Sequence, residues 1–289
     1  MAIRLEAVLI AVTSFTLLAR AQDPPFTVPV SVVMKPGLVY SEPNGEWLHL
    51  DLFVPRQGDG PFPAIVFVHG RDWGRGRGDR SAFWRQAAYL AQDGFVAATI
   101  QYRYEDGATW PAGLNDVQAS IRWLRTNAAT YHVDAARIAV GGGSTGGYLA
   151  ALAGTNLWNG SDWSGSAPDV RVNAVVAYNP LTDLPALAGS SEFTSFLGAS
   201  YEQNPARWRD ASPISHVGPQ AAPVLLLHGT GDQDVPYKQS TDMLRVLKEA
   251  NVRAELFTAD GGVHGFGQSP PWFEPALKRV EAFLKSVLK

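Results

Sequence analysis

The sequence has no cysteine, so it offers neither a disulfide framework nor thiol chemistry. It also has no strong excess of charge, because 24 basic and 27 acidic residues leave a formal net charge of −3. A chain so close to neutrality gives no electrostatic reason to expect a nucleic acid or an anionic membrane as a partner. No internal repeat, low-complexity block or linker divides the sequence. A hydrophobic fraction of 46% with 18% charged residues is that of a globular protein.

The N-terminal stretch has the features of a secretory signal peptide. Arg4 supplies the positive start, residues 7–18 are mostly apolar, and Ala19-Arg20-Ala21 fits an A-x-A cleavage site. The stretch is too short and too polar to span a bilayer stably. We therefore expect residues 1–21 to be removed on export, without stable membrane insertion. The mature protein is then secreted or periplasmic and consists of one domain, residues 22–289.

The rest of the chain alternates between strand and helix patterns. Alternating apolar residues near the N-terminus predict two antiparallel strands, and continuous apolar runs further on predict buried strands. The predicted strands are residues 30–34, 47–54, 63–68, 95–100, 137–140, 172–177, 223–227 and 254–257. The predicted helices are residues 82–92, 115–129, 148–153, 238–250 and 275–289, whereas 181–220 is expected to be irregular and to lie above the sheet edge. This order predicts the α/β class, with a mostly parallel sheet covered by helices on both faces.

The segment Gly142-x-Ser144-x-Gly146 lies between a predicted strand and a predicted helix, which is the context of a nucleophile elbow. In such a turn the positions two before and two after the serine meet with no room for a Cβ, so glycine is needed there. The hydroxyl is then held at a helix N-terminus, where a developing negative charge is stabilised. With 28 glycines in the chain the motif alone is a weak signal, and its context carries the prediction.

A serine hydroxyl is a poor nucleophile until a base takes its proton, and the base needs a carboxylate to fix its tautomer. Six histidines compete for the role of base. His264 lies in a glycine-rich loop after the last predicted strand, where functional groups gather in α/β sheets. His69 and His228 end strands and are followed by glycine, so we expect them to brace turns.

Two carboxylates compete as partner of that base. Asp232 and Asp234 lie on the loop after the strand predicted at 223–227. The order Ser144, Asp232, His264 is the chain order of the α/β-hydrolase triad. Spacing alone does not separate Asp232 from Asp234, because both follow the same strand.

Together these motifs resemble those of α/β-hydrolases of the esterase and lipase type, near the hormone-sensitive-lipase-like and the feruloyl and acetyl-xylan esterase group. The markers are Val68-His69-Gly70 with Trp73, Tyr102-Arg103, Pro111-Ala112, Asp116-Val117, Arg137-Ile138, the serine motif at 142–147, His228-Gly229-x-x-Asp232-x-x-Val235-Pro236 and His264-Gly265-Phe266. The resemblance covers residues 30–289 and implies an α/β-hydrolase catalytic domain with a small or absent cap. It also favours Asp232 as the triad acid beside Ser144 and His264, and it implies no metal or cofactor.

The loop after the third predicted strand departs from the family pattern. The family usually reads His-Gly-Gly-Gly-Trp, whereas this chain reads His69-Gly70-Arg71-Asp72-Trp73. Backbone N–H groups hold the oxyanion, so we still expect the donors to be the N–H groups of Arg71 and Thr145. Asp72 and Trp73 are expected to contact the substrate. Arg71 and its basic neighbours, which are Arg75, Arg77 and Arg80, either offset Asp72, bind an acidic substrate group or are simply solvated.

The resemblance implies a serine carboxylic-ester hydrolase whose partner is a small-molecule or polysaccharide ester, with acetyl or feruloyl esters of plant polysaccharide as the expected substrates. Two other functions stay open. One is a serine peptidase related to prolyl oligopeptidase, whose acid and base motifs are similar. The other is a catalytically silent hydrolase fold that serves in binding.

Overall fold

The computed structural model describes residues 26–70, 79–104, 109–155 and 170–289, which form an eight-stranded sheet. The strands are β1 (Val32–Ser41), β2 (Leu48–Pro55), β3 (Phe62–Val68), β4 (Val96–Ile100), β5 (Val133–Gly143), β6 (Ala174–Tyr178), β7 (Val224–Gly229) and β8 (Ala254–Ala259). Their order in the sheet is β1-β2-β4-β3-β5-β6-β7-β8. The β1–β2 and β2–β4 pairs are antiparallel, and the other five pairs are parallel. The carboxyl ends of β3 to β8 therefore meet at one edge of the sheet.

Helices cover both faces of this sheet. They are α1 (Trp84–Gln92), α2 (Ala112–Thr126), α3 (Ala128–Tyr131), α4 (Thr145–Thr155), α5 (Ser191–Leu197), α6 (Pro205–Asp210), α7 (Lys238–Glu249) and α8 (Phe273–Leu288). Val66 faces a core shared with α2, α4 and α7, whereas its neighbour Phe67 faces a second core shared with α1 and α8. The prediction of a mostly parallel sheet between two helical layers is thus confirmed. Across the described ranges, no helix has the length and apolar character that a membrane crossing requires.

The first strand is longer than the sequence predicts. Residues 30–34 were expected, but β1 continues to Ser41, past Pro36 and Gly37, which usually interrupt strands. The register shifts between Lys35 and Leu38, so Pro36 and Gly37 lie in a bulge of this edge strand. Gly37 has φ +68° there, and its N–H donates to Oδ1 of Asp51 at 2.8 Å.

The segment 181–220 is not irregular throughout, so the prediction for it was wrong in part. It contains α5 and α6, and a buried Trp208 on α6 donates from Nε1 to the Ala199 carbonyl at 3.0 Å. The start of α6 has a recognisable signal, because Asn204 accepts from the N–H of Arg207 at 3.0 Å and Pro205 follows the cap. Local capping and burial of one large aromatic ring therefore order a segment whose composition suggested a loop.

Candidate active site

Ser144 occupies a sharp turn between the last residue of β5 and the first residue of α4. Its backbone is left-handed, with φ +54°, a conformation that is unfavourable for residues with a Cβ. Two hydrogen bonds hold it: its N–H donates to Tyr178 O at 2.9 Å, and its carbonyl accepts from Tyr148 N–H at 2.9 Å. A strained serine on a strand–turn–helix junction has the geometry of a nucleophile elbow.

Close backbone contacts explain the glycines around the serine. A Cβ added at Gly142 would lie 2.5 Å from backbone atoms of Gly146, and one at Gly146 would lie 2.0 Å from the Val68 carbonyl oxygen. A Cβ at Gly70 would lie 2.6 Å from the Gly143 carbonyl oxygen. The turn at Ser144 and the end of β3 are therefore pressed together as tightly as backbone atoms allow.

His264 joins the serine to a carboxylate. Its Nε2 lies 3.1 Å from Ser144 Oγ, and its Nδ1 lies 2.9 Å from Asp232 Oδ2. Because an ionised carboxylate only accepts, the imidazole hydrogen is on Nδ1 and Nε2 is left to accept from the serine hydroxyl. The Asp232 side chain is fully buried, whereas that of His264 is 23% exposed. The imidazole can thus reach substrate and solvent, and the carboxylate behind it cannot.

The structure brings Asp232, and not Asp234, to His264. Oδ1 of Asp232 accepts from the N–H groups of Asp234 at 3.0 Å and Val235 at 2.8 Å, which leaves Oδ2 for the imidazole. Burial acts to raise the pKa of Asp232, but hydrogen bonds from His228, His264 and the Val235 N–H outweigh it and hold that pKa well below its usual range. Asp232 is therefore ionised at any pH at which an imidazole can act as a base.

Among the described residues, the side chains close enough together to hold a metal ion belong to this same site. Single ligand atoms of Asp232, Asp234 and His264 all lie within 4.8 Å of one another. Asp232 and His264 are, however, hydrogen-bonded to each other, and Asp234 is exposed. This arrangement fits a Ser–His–Asp line with a solvated neighbour better than a metal centre.

Asn179 contacts the imidazole, and sequence reasoning did not identify it. It is buried, directly follows β6, has φ +36° and donates its N–H to Leu227 O at 2.7 Å. Its Nδ2 lies 3.4 Å from both ring nitrogens of His264. Ser144 and Asp232 already occupy the in-plane directions of these nitrogens, and an equidistant in-plane position would press into Cε1. The amide therefore lies out of the plane of the ring. Its position at the carboxyl end of a parallel strand was the available signal.

Comparison with known families accounts for this arrangement. The BD-FAE family model matches residues 50–247, which is well over half of the chain. The chain belongs to the BD-FAE family. The α/β-hydrolase resemblance inferred from the motifs is therefore confirmed, as is the fold.

Individual relatives of this BD-FAE chain are esterases by name. Esterase LipQ of Mycobacterium tuberculosis is 31% identical over 211 residues, which are 71% of this chain and 49% of LipQ. The chain spans about half the length of the curated relatives it matches. A truncated carbohydrate esterase from gut microbiota has a TM-score of 0.75 and 26% identity, covering 88% of this chain and 95% of its own. Esterase Est2 of Thermogutta terrifontis, solved with propionate bound, has a TM-score of 0.76 and 26% identity, covering 89% and 95%.

Several predicted positions of this BD-FAE chain lie outside the described residues. They are the oxyanion donor Arg71, the substrate contacts Asp72 and Trp73, the basic residues Arg75 and Arg77, and the signal peptide, residues 1–21. Thr145, the other predicted oxyanion donor, is the buried first residue of α4 and follows Ser144 directly. Its backbone thus belongs to the helix N-terminus that faces the serine.

Arg80 is the member of the basic group that lies within the described residues, and it forms an ion pair inside the fold. Its Nε donates to Oδ2 of Asp51 at 2.7 Å, and the indole of Trp84 donates to the same oxygen at 2.9 Å. Asp51 is fully buried in β2, so this ion pair neutralises a carboxylate that would otherwise be costly to bury. In this conformation the Nε of Arg80 is bonded within the fold, and binding of an acidic substrate group by Arg80 stays a prediction.

Proposed function

We propose that the protein is a serine carboxylic-ester hydrolase that acts through an acyl-enzyme, with Ser144 as nucleophile, His264 as base and Asp232 as the acid that orients the base. The observation that carries the proposal is the hydrogen-bonded line from Ser144 Oγ through His264 to Asp232, at 3.1 and 2.9 Å. Family membership and the named esterases among the relatives support it. The chain covers only about half of those relatives, so the proposal rests first on the site and only second on their names.

The proposed reaction follows the acyl-enzyme route. Ser144 Oγ attacks the carbonyl carbon while His264 Nε2 takes its proton, and Asp232 stabilises the imidazolium that forms. The carbonyl oxygen becomes an oxyanion, for which we propose the backbone N–H groups of Thr145 and Arg71 as donors. The alcohol leaves with the proton from Nε2, and an acyl group remains on Oγ. Water then attacks this ester with His264 as base, which releases the carboxylic acid and restores the serine.

For the substrate we propose acetyl or feruloyl esters of plant polysaccharide, with Asp72 and Trp73 in contact with it. One support is that a matched structure is named a carbohydrate esterase and is covered over 95% of its length. A second is that Est2 holds propionate, a short acyl group close in size to acetate. Both facts belong to those proteins, and fold likeness alone does not fix a substrate.

The test combines a covalent label with a substrate panel. A fluorophosphonate should label the protein at Ser144 and leave Ser144→Ala unlabelled. The panel compares aryl acetates, acetylated xylo-oligosaccharides, feruloylated saccharides and aminoacyl anilides at equal concentration. We expect turnover of esters, with the acetylated or feruloylated saccharides preferred. Faster cleavage of anilides would indicate the peptidase, and neither labelling nor turnover would indicate a silent binding protein.

Export is the second part of the proposal. It rests on the charged start, the apolar stretch and the A-x-A site within residues 1–21. Intact-mass measurement of protein from the extracytoplasmic fraction should give a chain that begins at Gln22. A mass that includes Met1, or protein confined to the cytoplasm, would contradict export.

A further inference from the structure

The carboxylate of Asp232 has a second imidazole beside it. Nε2 of His228 lies 3.4 Å from Oδ2 of Asp232, the same oxygen that His264 Nδ1 contacts at 2.9 Å. His228 is in β7 and its side chain is fully buried, so it cannot reach a substrate. Any effect that it has on the reaction must pass through Asp232.

The hydrogen bonds of His228 define its tautomer. Nε2 lies 3.0 Å from the carbonyl oxygen of Val235, which can only accept, so Nε2 carries a hydrogen. Nδ1 lies 2.7 Å from Oγ of Ser240, a fully buried residue in the first turn of α7. In the neutral imidazole Nδ1 is then the acceptor, and the hydroxyl of Ser240 donates to it. Both ring nitrogens are satisfied without a charge.

The result is a second serine–histidine pair on the buried side of the same carboxylate: Ser240–His228–Asp232 mirrors Ser144–His264–Asp232. We propose that His228 is a positioning residue that fixes Oδ2 of Asp232 for His264, with Ser240 holding His228 in the required tautomer. The inference rests on the proposed function, because it assigns His228 a role only through the acid of that reaction.

The two carboxylate oxygens of Asp232 are held by different groups. Backbone N–H groups of Asp234 and Val235 hold Oδ1, so the group can still tilt about that oxygen. The Nε2–H of His228 donates to Val235 O at 3.0 Å and lies 3.4 Å from Oδ2, close enough to attract that oxygen, so we expect it to restrain both the tilt and the turn that holds Oδ1. It also stabilises the negative charge on Oδ2, which weakens the pull of that oxygen on the imidazolium of His264.

Two matched variants separate this role from simple support of the fold. In His228→Gln the side-chain amide nitrogen takes the place of Nε2 and keeps the donor, whereas in His228→Asn the amide ends near Nδ1 and the donor to Oδ2 is lost. With a neutral acetyl aryl ester, we expect the Asn variant to lose about tenfold in kcat, the effect of about one hydrogen bond, with KM nearly unchanged. The Gln variant should recover most of that loss. Equal losses in both variants would overturn the proposal.

The pKa of His264 gives a readout that needs no turnover. Within residues 26–70, 79–104, 109–155 and 170–289, the carboxylates that lie close to the His264 ring are those of Asp232 and the exposed Asp234, and neither is changed by these substitutions. Without the donor from His228, Oδ2 attracts the imidazolium more strongly, so the pKa of His264, measured by NMR titration, should rise in His228→Asn and return in His228→Gln. An unchanged or lower pKa in the Asn variant would contradict the inference. Because this titration does not depend on ester cleavage, it stays decisive even if the proposed function fails.

Ser240→Ala provides a second test if a His228 variant does not fold. It removes only the hydroxyl that donates to Nδ1 and keeps the imidazole in place. We expect the same direction of change in kcat and in the His264 pKa as in His228→Asn, but smaller. Wild-type values in a folded Ser240→Ala would show that the tautomer needs no help from Ser240, and would overturn that half of the proposal.

Discussion

Ser144 and His264 lie within hydrogen-bonding distance, yet the segments that carry them are fixed by different contacts. Ser144 lies where backbone presses on backbone, since a methyl group at Gly146 would be 2.0 Å from the Val68 carbonyl oxygen. Asp232 and His264 lie on the loops after β7 and β8, and hydrogen bonds to the carboxylate of Asp232 orient them. Backbone crowding and backbone hydrogen bonds fix the nucleophile, whereas hydrogen bonds to a side-chain carboxylate orient its acid and base.

The two loops also touch each other through their backbones. A Cβ at Gly229 would lie 2.0 Å from the carbonyl oxygen of Gly262, and the N–H of Gly231 donates to that oxygen at 3.0 Å. This contact joins the bases of the loops, but the side chains beyond it depend on their hydrogen bonds. An added side-chain carbon in the elbow should therefore destabilise the fold. Loss of a hydrogen bond to Asp232 should instead lower activity and leave the protein folded.

The largest loss of stability should come from a single methyl group in the elbow. Gly146→Ala should destabilise the protein by about 4 kcal/mol or more, because its Cβ overlaps backbone oxygens of Val68 and His69 that cannot move aside cheaply. Chemical denaturation measures the loss, and activity should fall with the folded fraction.

Gly143→Ala is the matched control for that methyl group. Gly143 is also next to Ser144, but a Cβ there would meet the nearest atom, on the ring of Phe83, at an ordinary 3.5 Å. We expect its cost to stay within about 1 kcal/mol. Equal destabilisation by the two alanines would contradict the account of the elbow as a steric contact.

Removing the nucleophile separates activity from stability at the elbow, because it should abolish ester cleavage without changing the backbone of the turn. Ser144→Ala should lower kcat by about a million-fold, since triad members act as a unit. Its thermal stability should equal or exceed that of the wild type, because the strained turn keeps its backbone bonds to Tyr178 and Tyr148. Activity within tenfold of the wild type would reject Ser144 as nucleophile.

The acid loop allows an isosteric test. Asp232→Asn should lower kcat by about 10⁴-fold, because an amide no longer holds the imidazole in the tautomer that accepts from serine. Asp234→Asn should stay within about tenfold of the wild type, since its side chain is exposed and its backbone N–H still donates to residue 232. Steady-state kinetics on one aryl ester compares the two. The opposite ranking would move the acid role to Asp234.

The same contrast explains what the sequence could predict. The elbow was predictable because steric crowding leaves its mark in composition, as glycines at 142 and 146 around the serine. Most of the parallel strands were predictable because buried parallel strands are continuous apolar runs, and the two N-terminal antiparallel strands because their apolar residues alternate. Hydrogen bonding leaves no such mark: spacing does not separate Asp232 from Asp234, the choice of Asp232 came from the family resemblance, and the contact with His264 supports it.

Other misses have the same origin. Asn179 resembles an ordinary turn residue before Pro180, and its place next to the His264 ring depends on the fold of a distant loop. Helix α6 was missed because its stability comes from the burial of Trp208 and the cap at Asn204, against a background of polar and small residues. Tertiary contacts decide such segments, and local composition does not.

The smallest effect should appear at Asn179, where the loop side of the site meets the end of β6. Asn179→Gly keeps the left-handed backbone and removes only the amide next to the His264 ring, so kcat should fall by less than about tenfold while the two triad hydrogen bonds remain.

Asn179→Asp keeps the shape of the side chain and places a carboxylate 3.4 Å from both ring nitrogens of His264. An anion there favours the imidazolium, so the pKa of His264 rises and the acid limb of the kcat/KM profile should move up by about one pH unit. The limb reports the base because activity is lost once Nε2 is protonated. A limb that does not move in Asn179→Asp would mean that residue 179 does not lie next to the ring in solution, and that hydrogen bonds to Asp232 alone orient the base.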